Sequence, residues 1–130
     1  MTQRDAGPQR ETSVLLVEDD PALRRYLEIL LERAGHKVIP AADGLEAMKL
    51  LLSKPVDVVV TDALMPNLNG YELSRFVRSS PQLSDIPIVL LSGLDPMNAE
   101  AQHVDAFMAK PLDNDELLDF ISRVEKKREL

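Results

Sequence analysis

The sequence contains no cysteine, which excludes disulfide bridges, thiolate metal sites and thiol catalysis. It also has no apolar stretch near the roughly 18–20 residues that a membrane-spanning helix needs. The first 12 residues are polar and lack the apolar core of a signal peptide. Together these absences predict a cytoplasmic protein without membrane insertion.

Positive charge is also scarce. The chain has 15 Lys and Arg against 22 Asp and Glu, a net charge of −7. Direct binding of nucleic acid needs a basic surface, so this balance argues against it. With 130 residues, 45% of them hydrophobic, the chain fits one globular domain. We predict a flexible N-terminal tail over residues 1–12, the domain over 13–127 and a C-terminal tail over 128–130.

Apolar runs alternate with helical patterns along the domain. Runs typical of strands covered on both faces lie at 13–17, 37–40, 56–61, 86–91 and 104–109. Helical patterns follow at 21–34, 43–53 and 69–79, and again after Asp113. A short or irregular fourth helix is predicted within 97–103, where glycine and proline are close by. The alternation predicts an α/β protein with a parallel sheet and helices on both faces.

Polar side chains follow the predicted strands at one edge of the sheet. Glu18 and Asp19 follow the first strand and Asp62 the third, while Ser92 and Lys110 follow the fourth and fifth. In such sheets a site lies beyond the carboxyl ends of the strands, where the strand order reverses. Taken singly, each of these residues has an ordinary explanation as a helix cap or a surface group, and we assign Asp20 to capping alone. Their joint order along the chain favours a functional site.

The chemistry of this set is that of phosphoryl acceptance. Three carboxylates suit Mg²⁺, and Asp62 is the best nucleophile because a carboxylate can form an acyl phosphate. Lys110 and Ser92 can bind the transferred group. A Mg²⁺-dependent phosphohydrolase is a rival, but such enzymes place a second aspartate where this chain has Leu64. A dinucleotide site is excluded because no Gly-x-Gly-x-x-Gly follows the first strand.

Four motifs together resemble the receiver domains of bacterial two-component response regulators. They cover nearly all of the chain except the N-terminal tail, and they are Val17-Glu18-Asp19-Asp20, Asp62 with Met65-Pro66-Asn67-Leu68-Asn69-Gly70, Ser92-Gly93, and Lys110-Pro111. The resemblance implies a flavodoxin-like (βα)5 fold with strand order 2-1-3-4-5. It also implies a phosphorelay module, not a conventional enzyme, that acts as a monomer or weak dimer on an output protein.

The resemblance also implies a role for each site residue. Asp62 would accept a phosphoryl group from a sensor histidine kinase or histidine phosphotransfer protein. Mg²⁺ would be bound by Glu18, Asp19, Asp62 and the backbone carbonyl of Leu64. Ser92 and Lys110 would bind the phosphoryl group, Phe107 would be the switch aromatic, and a cis bond before Pro111 would aim Lys110 at the site.

Two features depart from the family pattern. Phe107 stands where tyrosine is frequent, and the stretch between Ser92 and Lys110 is several residues short, which puts the usual output surface in doubt. A pseudo-receiver that no longer takes phosphate is therefore a further alternative. No output segment follows the last helix, so the chain is either a stand-alone receiver of the chemotaxis-regulator kind or a piece of a larger regulator or hybrid kinase.

Overall fold

The protein forms a five-stranded parallel sheet with helices on both faces. The structure, a computed structural model, describes residues 11–93 and 103–129. The strands run in the order β2-β1-β3-β4-β5, which confirms the predicted fold class. The elements are β1 Ser13–Val17, α1 Pro21–Arg33, β2 Lys37–Ala41, α2 Gly44–Ser53, β3 Val58–Asp62, α3 Gly70–Ser79, β4 Ile88–Ser92, β5 Ala106–Ala109 and α4 Asn114–Glu129.

The core consists of two layers, one on each face of the sheet. Every residue of β1, β3 and β4 is buried, as their continuous apolar sequences predict. One layer packs α1 and α4 on the sheet through Leu27, Leu31, Leu117 and Ile121. The other packs α2 and α3 on the opposite face through Ala47, Leu51, Leu73 and Val77. This sandwich holds the carboxyl ends of the central strands rigidly at one edge.

Helix starts follow local signals in the sequence. Asp20 accepts hydrogen bonds from the first-turn N–H groups of α1, and Pro21 occupies the first helical position. Asn69 and Glu72 form a reciprocal capping box at the start of α3. Asp113 accepts from the first-turn N–H groups of α4, as its spacing predicts. Each cap lies at the edge of the sheet where the strands have their carboxyl ends.

Three strands begin two residues later than predicted. The strands β3, β4 and β5 start at Val58, Ile88 and Ala106. The preceding residues serve other contacts: the Asp57 carboxylate accepts from the Ser13 N–H at 2.8 Å, and Asp105 accepts from Ile88 N–H at 2.7 Å.

The later strand ends have a consequence for the site. Asp62 and Ser92 are the last residues of β3 and β4, not the first residues after them. Their backbones therefore belong to the sheet, which orients both side chains more firmly than a loop would.

The fold extends past both predicted tail boundaries. Thr12, assigned to the N-terminal tail, is fully buried, and its hydroxyl donates to Glu125 at 2.9 Å. Arg128, assigned to the C-terminal tail, lies within α4 and pairs with Asp57 at 2.8 Å. Residues 1–10 lie outside the described part of the chain, as does nearly all of the segment 97–103 predicted as a short helix. No helix among the described residues is long and apolar enough to cross a membrane.

Candidate phosphoacceptor site

Three carboxylates meet at the carboxyl ends of the two central strands. Val17 at the end of β1 pairs with Thr61 of β3, so Glu18 and Asp62 lie side by side. Oxygen atoms of Glu18, Asp19 and Asp62 lie within 4.8 Å of one another. Glu18 is 1% exposed and Asp62 8%, while Asp19 faces solvent. This is the cluster that the sequence predicts, and its oxygen ligands and spacing suit a divalent cation.

Lys110 brings a positive charge to the same cluster from the end of β5. Its Nζ lies 3.0 Å from Asp62 Oδ1 and 3.5 Å from Glu18 Oε1. The backbone N–H of Lys110 donates to the Ser92 carbonyl, which continues the β4–β5 pairing up to the site. The Lys110–Pro111 peptide bond is cis, as the resemblance implies.

The electrostatics of the site couple these groups. Burial raises the pKa of Glu18, and the charge of Asp62 adds to this rise, while the Asp20 N–H and the Lys110 ammonium oppose it in part. Burial lowers the pKa of Lys110, but its hydrogen bond to Asp62 and the charges of both carboxylates outweigh this, so the pKa lies above its usual range. Lys110 is therefore a fixed positive charge at neutral pH, and Glu18 carries an energetic cost when ionised without a metal.

Backbone and side-chain contacts hold the carboxylates in place. The Asp20 N–H donates to Glu18 Oε2 at 3.1 Å, and the Ala63 N–H donates to Asp62 Oδ1 at 3.0 Å. Arg24, one turn into α1, donates to the Glu18 backbone carbonyl at 2.7 Å. Arg24 was not predicted as a site residue, although a cation four residues after the helix-capping Asp20 lies on the side of α1 that faces the acidic motif.

The two predicted switch residues lie on neighbouring strands. Ser92 is buried at the end of β4, where the β3 register pairs Asp62 with the preceding Leu91. Phe107 lies on β5 opposite Leu90 and is half-buried. Leu64, the predicted carbonyl ligand, follows Asp62 by two residues, and its side chain is 61% exposed. The structure thus brings the predicted metal-binding and phosphoryl-binding residues to one edge of the sheet, while Phe107 lies two residues before the end of β5.

Comparison with known proteins agrees with this geometry. Residues 14–122 match the response regulator receiver domain family. The chain belongs to that family. It is 38% identical over 104 residues to the transcriptional regulatory protein AfsQ1 of Streptomyces coelicolor, covering 77% of this chain and 45% of AfsQ1. The protein is therefore a receiver domain of two-component signalling.

Solved receiver domains share its fold. The chemotaxis protein CheY4 of Vibrio cholerae superposes with a TM-score of 0.82 at 29% identity, over 88% of this chain and 99% of that one. The receiver domain of sensor histidine kinase PA1611 from Pseudomonas aeruginosa superposes with a TM-score of 0.79 at 26% identity, over 88% and 97%. That structure is described with a magnesium ion coordinated in its active-site cleft.

The match to longer relatives is partial. This chain spans less than half of the length of the curated relatives it matches, for example 45% of AfsQ1 and 17% of a Vibrio cholerae sensor kinase/phosphatase. The shared part is the receiver domain alone. Receiver domains occur both in response regulators and within histidine kinases, and the family works with histidine kinases and output domains.

The loop that follows Asp62 is closed on itself in this receiver domain. The Gly70 N–H donates to the Ala63 carbonyl at 2.9 Å, which joins the two ends of the loop. A Cβ at Gly70 would collide with the Asp62 carbonyl and lie 2.8 Å from Leu90 Cδ1. Glycine is therefore required for α3 to begin this close to the end of β3.

Proposed function

We propose that this receiver domain accepts a phosphoryl group on Asp62 from a phosphohistidine of a sensor kinase or phosphotransfer protein. An Asp62 carboxylate oxygen forms a bond to phosphorus while the bond from phosphorus to the histidine nitrogen breaks. The electron pair of that bond stays on the imidazole, which takes up a proton. The observation that carries the proposal is the pairing of a nearly buried Asp62 with a lysine ammonium at 3.0 Å beside two further carboxylates.

The acidic cluster fits Mg²⁺. We infer that Glu18, Asp19, Asp62 and the backbone carbonyl of Leu64 hold the ion, in line with its preference for oxygen ligands and retained waters. The bound ion would neutralise charge on the phosphoryl oxygens during transfer. The raised pKa of Glu18 supports this assignment, because a buried carboxylate that costs energy when ionised gains most from a cation.

Lys110 and Ser92 would bind the phosphoryl group once it is on Asp62. The Lys110 ammonium already contacts the acceptor oxygen, so it needs only a small shift to contact a phosphoryl oxygen. The Ser92 hydroxyl can donate a hydrogen bond to the same group. Both groups stabilise negative charge where it develops in the transition state.

The conformational switch would couple Ser92 to Phe107. When the phosphoryl group draws Ser92 towards Asp62, space opens for the ring of Phe107, which lies half-buried on the next strand. Phenylalanine can turn inward but offers no hydroxyl to a partner. Phosphorylation-dependent partner affinity should therefore be lost in Phe107→Ala, and its full retention would rule out this coupling.

The position of Leu64 separates this proposal from a hydrolase. Its side chain has no group that can transfer a proton or orient water, so the acyl phosphate should hydrolyse slowly. We propose a phosphoacceptor that assists its own chemistry, not a conventional enzyme, acting in the cytoplasm as a monomer or weak dimer on an output protein. It would neither bind nucleic acid directly nor insert into a membrane.

The proposed function is tested by intact mass after incubation with acetyl phosphate and Mg²⁺. One added phosphoryl group is expected, and it should be absent from Asp62→Asn and from metal-free samples. If no adduct forms, the release of inorganic phosphate decides between rapid turnover and a pseudo-receiver. Absence of both adduct and released phosphate would refute the phosphoacceptor role.

A further inference from the structure

The loop between β3 and α3 carries the proposed carbonyl ligand Leu64, and the middle of this loop lies beyond the last residue of β3. Its two ends are joined by the Gly70–Ala63 hydrogen bond. In the described part of the chain, the hydrogen bonds that reach residues 64–68 from outside the loop come from the start of α2. Met65 and Leu68 also pack on the core, but these polar contacts to the middle of the loop come from α2, an element that takes no part in the proposed chemistry.

Two hydrogen bonds form this connection. The Asn67 side-chain amide donates to Asp43 Oδ2 at 2.8 Å, and the Gly44 N–H donates to the Leu68 carbonyl at 3.1 Å. Gly44 has no room for a Cβ, because one there would collide with the Leu68 carbonyl. The helix start and the loop are thus in direct backbone contact.

Asp43 has two tasks, one for each carboxylate oxygen. Oδ1 caps α2 by accepting from the Glu46 N–H at 2.8 Å, while Oδ2 binds Asn67. Both hydrogen bonds lower the pKa of Asp43, the cap contributing more, so the carboxylate stays ionised. Because the cap fixes Asp43 on the helix, its second oxygen is a rigid anchor and not a mobile surface group.

Asn67 has an uncommon backbone. Its φ is +70°, in the left-handed region that asparagine tolerates better than most residues but still disfavours relative to glycine. The bond to Asp43 holds Asn67 in this conformation. This backbone conformation sets the direction of the chain between Leu64 and Asn67.

We propose that Asp43 and Asn67 form a loop strut that positions the Leu64 carbonyl for Mg²⁺, and that they are positioning residues for phosphoryl acceptance. This inference rests on the proposed function. The strut acts through the loop and touches no reacting atom. Its loss should weaken Mg²⁺ binding while leaving the Glu18, Asp19 and Asp62 carboxylates in place.

The test separates the strut from the helix cap. In Asp43→Ser the hydroxyl can still cap α2 but is too short to serve Asn67 as well. Asn67→Gly keeps the left-handed backbone and removes the amide. Asp43→Asn keeps an oxygen for the cap, and its NH2 group can donate to Asn67 once the Asn67 amide turns to present its oxygen, so it is the conservative variant. Asp113→Ser makes the same cap change at α4, where the hydrogen bonds given for the aspartate side chain come from the first turn of its own helix, and is the matched control.

Mg²⁺ binding would be measured by titrating ¹⁵N-labelled protein and following amide chemical shifts. Asp43→Ser and Asn67→Gly should each weaken Mg²⁺ binding about three- to tenfold, the scale of one exposed hydrogen bond. The double variant should be no weaker than either single one, and Asp43→Asn and Asp113→Ser should bind as the wild type does. Thermal unfolding of every variant would check that the differences do not follow global stability.

Unchanged Mg²⁺ affinity in both single variants, or additive losses in the double variant, would overturn the strut. A wild type that binds Mg²⁺ but takes no phosphoryl group would refute the proposed function and leave the strut standing on the Mg²⁺ data. A wild type that binds no Mg²⁺ would overturn the proposal that the strut positions a metal ligand. Hydrogen exchange of the Leu64 and Met65 amides provides a metal-independent check: faster exchange in Asp43→Ser and Asn67→Gly is expected, and unchanged exchange would refute the strut.

Discussion

Glu18→Gln should make the metal-free protein more stable and its complex with Mg²⁺ weaker. The substitution keeps the shape of the side chain and an oxygen that can accept from the Asp20 N–H. It removes a charge that is buried beside a second nearly buried carboxylate. The same carboxylate would be an essential ligand of Mg²⁺, so the charge that lowers the stability of the metal-free protein is needed for metal binding.

The magnitude follows from the neighbouring charges. At an effective dielectric constant of about 20, Lys110 at 3.5 Å attracts Glu18 by about 5 kcal/mol. Asp62, within 4.8 Å, repels it by about 3.5 kcal/mol or more. The lysine side chain is 29% exposed and its charge is shared with Asp62, which reduces the attraction. The two terms nearly cancel, so the dehydration of Glu18, of order several kcal/mol, is offset only in part, by the hydrogen bond from the Asp20 N–H.

We therefore expect Glu18→Gln to raise the free energy of unfolding by about 1–2 kcal/mol at pH 7 without metal. For a domain of this size the melting temperature should rise by roughly 4–8 °C. Burial raises the folded-state pKa of Glu18 above its ordinary 4.5, so the cost of the ionised group grows as pH rises from 4.5 through the folded pKa. Below pH 4.5 the advantage of glutamine should vanish.

Thermal and urea unfolding with and without Mg²⁺ would measure both effects. At a Mg²⁺ concentration ten times the dissociation constant, the wild type should gain about 1.4 kcal/mol, and Glu18→Gln should gain far less. Glu72→Gln, in the capping box of α3, is the matched control and should change neither quantity. A metal-free Glu18→Gln protein less stable than the wild type at pH 7 would refute the reasoning, since Lys110 attraction would then exceed the cost of burial.

Three further predictions follow from close contacts. Gly70→Ala should lower the free energy of unfolding, measured in urea, by about 1–3 kcal/mol, because its Cβ would collide with the Asp62 carbonyl. Gly93→Ala, whose Cβ would meet no atom of the described residues within 4 Å, should be nearly neutral. Arg128→Met should lower the free energy of unfolding by about 3 kcal/mol, because the Asp57 carboxylate, 11% exposed, loses its 2.8 Å ion pair. A loss below about 0.5 kcal/mol, the level of a surface ion pair, would contradict this. Lys110→Met should bind Mg²⁺ more tightly in titrations, because the substitution removes a competing cation. It should also accept the phosphoryl group of acetyl phosphate more slowly, and an unchanged rate would show that Lys110 takes no part in the proposed chemistry.

Local sequence patterns predicted much of the fold and of the site. The continuous apolar runs of the central strands require cover on both faces, so alternation with helices led directly to a parallel sheet. Residues such as Glu18 and Lys110 lie at strand ends, and in a parallel sheet all such ends meet at one edge. Their convergence was therefore predictable before any coordinate was known.

Contacts between segments that are distant in the sequence could not be predicted from these patterns. Thr12 carries no apolar signal, yet it is buried because the end of α4 packs beside the start of β1. The strand β3 starts late because the Asp57 side chain binds the Ser13 N–H, 44 residues away. No periodicity in a sequence encodes which distant backbone group a given carboxylate will meet.

The sequence by itself determined the order of strands and helices, the helix starts and the chemical character of the site, because each depends on residues close together in the chain or on burial alone. Tertiary structure decided the distances within the site, the shifted pKa of Glu18 and the contact between Asp43 and Asn67. These quantities depend on how helices and loops pack over the sheet. Packing brings together groups 24 residues apart in the strut and 92 apart at Lys110 and Glu18.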